Sequence, residues 1–459
     1  MADENQILIS FVTKLASQYK VPATPMAVPA TAKRLGLSQV INTLLALDPA
    51  RPFDFLVDGE LLRKSLEQHL LDNNLSAEST LEIEYVPAVV PPKHKHSTPH
   101  DDWVSSVCSA AALNGIVSGS YDGQIRLWNG EVQCVGSVLA HNGGVNAVAM
   151  LPASQGSLML SAGKDHTAKL WALNTAEVGV SEQPFSLVAT YTGHTDSIES
   201  ISASPDGSRF CSSSWDGQVS IWATGREILD LQAGGSSEAA PVETAAADAA
   251  GGKKKRKVGA EDGSAKAVAS PSSVAITQPL SHLVGHIHCV SAVAWPVDRV
   301  IYTGGWDHSV RRWDVETGIN TETYNGSKAV CSAACHSSSP NVVAFGSSDR
   351  VLRLWDSRTR AGESLNIKAY PSHSGWVNCL AWNPELPHLL ASGSHDHSVK
   401  LWDLRTTVPL GTLTASRDKV LAVGWVSGVE GKSAQQLVSG GADCQLQLYD
   451  MDQFASGVL

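Results

Sequence analysis

Seven times along the chain a short apolar run leads into a turn of small residues ending in aspartate, followed by a second run that closes on an aromatic ring. The turns read SGSYD, SAGKD, SSSWD, TGGWD, FGSSD, SGSHD and SGGAD, with aspartates Asp122, Asp165, Asp216, Asp307, Asp349, Asp396 and Asp443. Six residues after each stand Trp128, Trp171, Trp222, Trp313, Trp355, Trp402 and Tyr449. Between them the third and fifth positions are apolar, as in Ile125/Leu127, Val219/Ile221 and Val399/Leu401. That period of two predicts a strand with one face in a core. Arg312 breaks the pattern in the fourth repeat, where a long side chain can carry its charge to solvent.

Most intervals between the aspartates are 42 to 51 residues, enough for four short strands per unit. This resembles the WD40 family over residues 101–450, and the resemblance implies a mainly β chain built as a seven-bladed propeller. Four repeats carry that family's full polar set. These are His141/Ser161/Asp165/Trp171, His194/Ser212/Asp216/Trp222, His286/Thr303/Asp307/Trp313 and His373/Ser392/Asp396/Trp402. In the family the aspartate accepts from the histidine, and the hydroxyl and indole N–H extend the network inside the blade. Buried polar groups need such partners. The fifth repeat has Phe345 at the hydroxyl position and no histidine, and the first and seventh are read as lacking the histidine too, so those three blades are expected to hold less tightly. Only nine residues follow Asp450, so a strand preceding Trp103 is a candidate to complete the last blade.

Residues 1–88 lie outside the repeat. QILISFVT alternates as a strand, TPMAVPA is a second strand punctuated by proline, and LGLSQVINTLLAL is apolar at helical spacing. FDFLVDGELL places Asp-Gly between apolar runs, a hairpin signal. SLEQHLLDNNL is a short helical segment and TLEIEYV a final strand, with Glu82 and Glu84 on its solvated face. The order suits a small α+β domain of the β-grasp, ubiquitin-like kind. "FDFLVDGELLRKSLEQHL", "LSAESTLEIEYV" and "HDDWVSSV" are similar to the NLE-type domain and its junction with a propeller. Residues 89–100 are read as a linker and 101–459 as the propeller.

Composition narrows the function. A net charge of −11 argues against a protein that coats nucleic acid, because that affinity rests on neutralising phosphates. The eight cysteines form no CxxC pair, which suits reduced, buried thiols. No stretch approaches a membrane span, and the start lacks the basic and apolar regions of a secretory signal. The Ser/His/Asp sets could be mistaken for catalytic triads, but a triad needs one exposed nucleophile with an oxyanion hole. Four copies, each with a tryptophan in register, argue for structure, so no catalytic residue and no enzyme activity are expected. His94, His96 and His100 sit in a Pro-rich stretch without other ligands nearby, and a solvated linker is favoured there over a metal site. Between Asp216 and Asp307 lie 91 residues, and the surplus at about 232–280 is rich in Ala, Gly and Ser and expected to be disordered. It holds Lys253, Lys254, Lys255, Arg256 and Lys257, a run suited to nuclear import.

The NLE–propeller combination is shared by two ribosome-assembly families, the WD-repeat subunit of the pescadillo and block-of-proliferation complex, and Notchless. Seven repeats with a basic insertion favour the first. The resemblance implies a non-enzymatic assembly factor for the large ribosomal subunit and its pre-rRNA, in the nucleus, nucleolus and nucleoplasm, on pre-60S particles. Its propeller would bind the block-of-proliferation protein, and through it pescadillo. Its ubiquitin-like domain would dock on the MIDAS domain of the AAA ATPase midasin, which removes the complex. Glu78 would complete the coordination of a divalent ion, Mg²⁺ or similar, held by that partner, since a hard cation takes a carboxylate oxygen. This chain alone is expected to hold no cofactor and no metal. Tyr121, Trp215, Trp306 and His395, each just before a turn aspartate, are candidates for an exposed rim or for packing between blades. A Notchless-type role and a ubiquitin-ligase substrate adaptor are the alternatives, and direct RNA contact is left open.

Overall fold

In the computed structural model the described residues are 6–15, 17–48, 50–72, 80–88, 92–110, 113, 115–130, 132–152, 157–173, 184–224, 274–358, 367–414, 416–426 and 436–451. Glu78 and the basic run 253–257 lie outside them.

The N-terminal domain is one five-stranded sheet. Gln6–Val12 pairs antiparallel with Met26–Pro29 and parallel with Leu81–Pro87, which in turn pairs with Phe53–Val57, and that strand turns into Glu60–Leu61. The Asp-Gly of that turn takes positive φ at both residues, 51° at Asp58 and 83° at Gly59, the backbone a two-residue hairpin needs. A helix at Arg34–Leu45 lays Leu37 and Ile41 on Ile9, Phe11, Phe55, Ile83 and Tyr85. The alternation read from TLEIEYV is real geometry: Ile83 and Tyr85 are buried, Glu82 is exposed, and Glu84 meets Lys14 at 3.2 Å.

Seven sheets follow. Their inner strands are Val104–Ala110, Val145–Met150, Ile198–Ala203, Val290–Val297, Val330–Cys335, Val377–Trp382 and Val420–Val426. Each packs beside the next, and the last packs on the first, so the ring is closed. Blade spacing is set by small residues. A Cβ added at Gly440 of the seventh blade would lie 2.4 Å from Val104 Cγ1 of the first, and one at Gly304 would lie 2.5 Å from Val330 Cγ1. The small turn residues of the repeat are therefore where neighbouring blades touch.

Two features depart from the sequence reading. Residues 89–100 are not simply a linker: Lys93–Pro99 is the strand expected before Trp103, and it completes the seventh blade as its outer strand, antiparallel to Gln445–Asp450. It escaped the hydrophobic pattern because an outermost strand is exposed on both faces, and only Thr98 in it is even half-buried. The second blade has a fifth strand, Val274–Ile276, parallel to Phe185–Thr192. The chain leaving the third blade after Ala223 thus returns along the rim of the second blade before completing the third with Ser281–Leu283.

Candidate functional site: the aspartate face of the propeller

The turn aspartates all stand at one position of the repeat, between the second and third strands of each blade, together with the loops that enter the inner strands. Four blades share one network. In the fourth, His286 Nδ1 lies 2.8 Å from Asp307 and its Nε2 2.7 Å from Thr303 Oγ1, and that oxygen accepts from Trp313 Nε1 at 2.8 Å. The same three links measure 2.8, 2.7 and 2.9 Å in the second blade. In the third they are 2.8, 2.8 and 2.8 Å, and in the sixth 2.8, 2.8 and 2.7 Å. Ser161, Ser212, Thr303 and Ser392 are fully buried, so none is an accessible nucleophile. Burial alone would push up the carboxyls of Asp165, Asp307 and Asp396. Hydrogen bonds from the histidine, the neighbouring hydroxyl and backbone N–H groups outweigh it and hold them well below the usual carboxylate range.

The first blade does have its histidine. His100, expected in a solvated linker, is buried, its Nε2 is 2.8 Å from Ser118 Oγ, and Trp128 Nε1 donates to the same oxygen at 2.8 Å. It stands four residues before Val104, as His141 does before Val145 and His286 before Val290. That spacing was the overlooked signal. The link from the histidine to the turn aspartate is missing, however. Asp122 is held instead by Arg126 at 2.7 Å, which also binds Asp101 at 2.7 Å, and His100 Nδ1 is buried without a hydrogen-bond partner. Burial foremost, then the Arg126 charge, lowers the His100 imidazole from 6.5 to about 4. His94 and His96 stay exposed on the closing strand, His94 edge-on to Tyr449 at 5.6 Å between ring centroids. Among the described residues no group of three or more His, Cys, Asp or Glu side chains is placed to hold a metal ion.

The fifth blade replaces the network with Arg353, which grips Asp349 at 2.6 Å and donates to Ser347 at 2.9 Å, while Phe345 fills the hydroxyl position against Tyr324. In the seventh, the hydrogen bonds to Asp443 come from the backbone N–H groups of Arg417 and Gln445, both at 3.1 Å. Arg126 and Arg353 both sit four residues after their turn aspartate, a second regularity the sequence displayed. Arg312, which breaks the apolar pattern of the fourth repeat, donates to Thr321 Oγ1 at 3.0 Å at the exposed side of the blade.

Of the four aromatic positions before turn aspartates, Tyr121 and His395 are half-buried and Trp215 and Trp306 are exposed. Trp215 and Trp306 are 44% and 40% exposed and meet each other at 5.1 Å. Tyr121 stacks on Trp103 at 5.8 Å, with Lys164 Nζ 3.7 Å above its ring. His395 lies flat on the exposed Trp376 at 5.4 Å. All the cysteines are free thiols. Among the described residues no helix is long and apolar enough to cross a membrane.

Comparison with known proteins adds two family matches. Residues 7–70 match the NLE (NUC135) domain. Six segments, 92–129, 132–172, 185–223, 277–314, 318–356 and 364–403, match the WD domain, G-beta repeat. The first begins with the strand that leads to His100, and the three C-terminal strands of the seventh blade, with Tyr449 for tryptophan, fall outside the matched segments. A Chlamydomonas reinhardtii protein named ribosome biogenesis protein WDR12 homolog is 54% identical, over 99% of this chain and 100% of its own. An Arabidopsis thaliana protein of the same name is 38% identical over 96% and 95%. The ribosome biogenesis protein YTM1 of Saccharomyces cerevisiae is 33% identical over 97% of each chain.

Proposed function

We propose, from the premise that this chain belongs to the family of ribosome biogenesis proteins named WDR12 homolog and YTM1, that it is a non-enzymatic assembly factor for the large ribosomal subunit. The observation that carries this reading is that the likeness runs through both parts, the NLE-type domain and the propeller, over nearly the whole chain. The polar sets that might suggest chemistry are consumed in holding turns, and the exposed aromatics of the aspartate face suit partner contacts instead.

The propeller binds the block-of-proliferation protein and, with it, pescadillo on pre-60S particles. The N-terminal domain docks on the midasin MIDAS domain, where Glu78 supplies a carboxylate oxygen to the partner's divalent ion. The basic run 253–257 directs the chain to the nucleus, and from there to the nucleolus and nucleoplasm. Affinity purification from nuclear extract tests the whole reading: it should recover those partners, and recovery of a ubiquitin ligase or of a Notchless-specific set in their place would overturn it. For the docking step, Glu78→Ala should abolish metal-dependent binding to the MIDAS domain while the propeller's partner stays bound. Binding that survives chelation of the ion would sink the role given to Glu78.

A further inference from the structure

Three aromatic clusters stand on the aspartate face, and they differ in what covers them. Tyr121 has the Lys164 ammonium over its ring, and Trp376 has the His395 imidazole flat against it. Trp215 and Trp306 have only each other, with their planes at 54°, and among the described residues no lysine or arginine lies over either. They line a hollow of about 380 Å³ between the third and fourth blades, together with Asp216 and the loop of His286, Ile287, His288 and Cys289.

The hollow is held open and acidic. Trp215 Nε1 donates to Glu199 Oε1 at 2.7 Å, and the same oxygen accepts from Asn146 Nδ2 at 3.1 Å and Ser197 Oγ at 3.2 Å, so the indole is fixed from behind. Asp196 is exposed on the adjoining loop. Burial first, then the fields of Glu199, Asp196 and Asp216, hold the Cys289 thiol well above its usual range. Burial also raises the Glu199 carboxyl, despite the bonds it accepts from Trp215 and Ser197. Lys164 is the cation that acts on Glu199, and it stands over Tyr121. Two half-exposed indole faces backed by carboxylates are complementary to a cation.

We propose that the Trp215–Trp306 hollow binds an arginine side chain presented by an extended segment of a partner protein, the guanidinium lying over the indoles within the field of Asp216, Glu199 and Asp196. A guanidinium suits the place better than an ammonium, because it is flat, weakly hydrated and stacks on aromatic faces. This rests on the reading of the aspartate face as a binding surface and names what that surface recognises there.

The test titrates the full chain with N-acetyl-Gly-Arg-Gly-amide, and with the same peptide carrying citrulline or norleucine, while following the tryptophan indole N–H signals by NMR. Trp215→Phe and Trp306→Phe assign the two signals. Both side chains are part-exposed, and unchanged melting of the variants confirms an intact ring. The arginine peptide should shift both signals saturably, and the citrulline and norleucine peptides should bind about tenfold more weakly or less. Glu199→Gln should weaken only the arginine peptide. Equal binding of arginine and citrulline, or no shift of either signal at tens of millimolar peptide, overturns the proposal. Loss of ribosomal-precursor capture in a Trp215→Ala/Trp306→Ala chain without arginine selectivity sinks this inference and keeps the reading it rests on. Arginine selectivity in a chain that captures no such precursor does the reverse.

Discussion

The fourth and fifth blades are neighbours built to one plan, yet they hold their turns by different chemistry. In the fourth, Asp307 is 2% exposed and tied to His286, Ser309 and the Ile287 N–H. In the fifth, Asp349 is gripped by Arg353 at the edge of solvent, and a phenylalanine takes the place of the shared hydroxyl. The seventh blade does with backbone donors alone among its hydrogen bonds to Asp443, and the first uses a histidine and an arginine that do not meet on one carboxylate. The blade therefore requires a turn aspartate supplied with donors, and histidine is one of several ways to supply them. What histidine adds is depth. It carries the carboxylate's hydrogen bond inward to a buried hydroxyl and indole, whereas arginine ends the network at the surface.

That contrast predicts graded losses. Asp307→Ala should cost the most, about 3 kcal/mol, since it strands buried His286 and Ser309 donors. Urea midpoints of single variants would measure it, and a loss no greater than that of a seventh-blade variant would break the comparison. The next effect is one of pH and belongs to the first blade. His100 is held near 4 when folded against 6.5 when free, so the unfolded chain takes up a proton first as pH falls. Stability is fully present above about 6.5 and is lost as pH drops toward 4, about 2 kcal/mol of it by pH 5. His100→Asn should flatten the slope of stability between pH 7 and 5, and an unchanged slope would show that the imidazole is not the source. The depressed carboxylates of Asp165, Asp307 and Asp396 act lower. Their contribution is present above their unfolded value of 3.8 and fades only as pH falls through the still lower folded values. In the fifth blade Asp349→Asn should cost about 1 kcal/mol, because the pair is half-screened by water. Asp443→Ala should cost least, below about 1 kcal/mol, as two backbone N–H groups near solvent can turn to water.

Much of this was visible in the chain because inner and middle strands bury one face, and burial writes a period of two. His100 was legible by the same logic, four residues ahead of a valine, but the surrounding KHKH and prolines suggested a solvated tether. The strand Lys93–Pro99 was not legible by pattern, since neither of its faces is in a core. Val274–Ile276 was beyond reach for another reason: three residues are too few to carry a period. The Arg353 substitution could have been read, because a cation recurs four residues after the aspartate at Arg126, Lys169, Arg311, Arg353 and Lys400. The pairing of Trp215 with Trp306 could not, because it depends on the spacing of two blades in the ring. Glu78 carries no local signal, and only likeness to a family singled it out.

The strand that completes the seventh blade has a mechanical consequence. Chain connectivity places Lys93–Pro99 between the N-terminal domain and the ring, and its first residue is opposite Asp450, at the far end of Gln445–Asp450. Tension applied to the N-terminal domain enters the propeller there, through Lys93. It meets the rungs from Lys93↔Asp450 to Pro99↔Gln445 in sequence, so they can yield one at a time, like a zip, because this edge strand is paired on one side only. The strand that completes the seventh blade is thus also the first to yield to a pull from the N-terminal side, and a sufficient load on that domain strips it from Gln445–Asp450 before it disturbs the inner strands that close the ring.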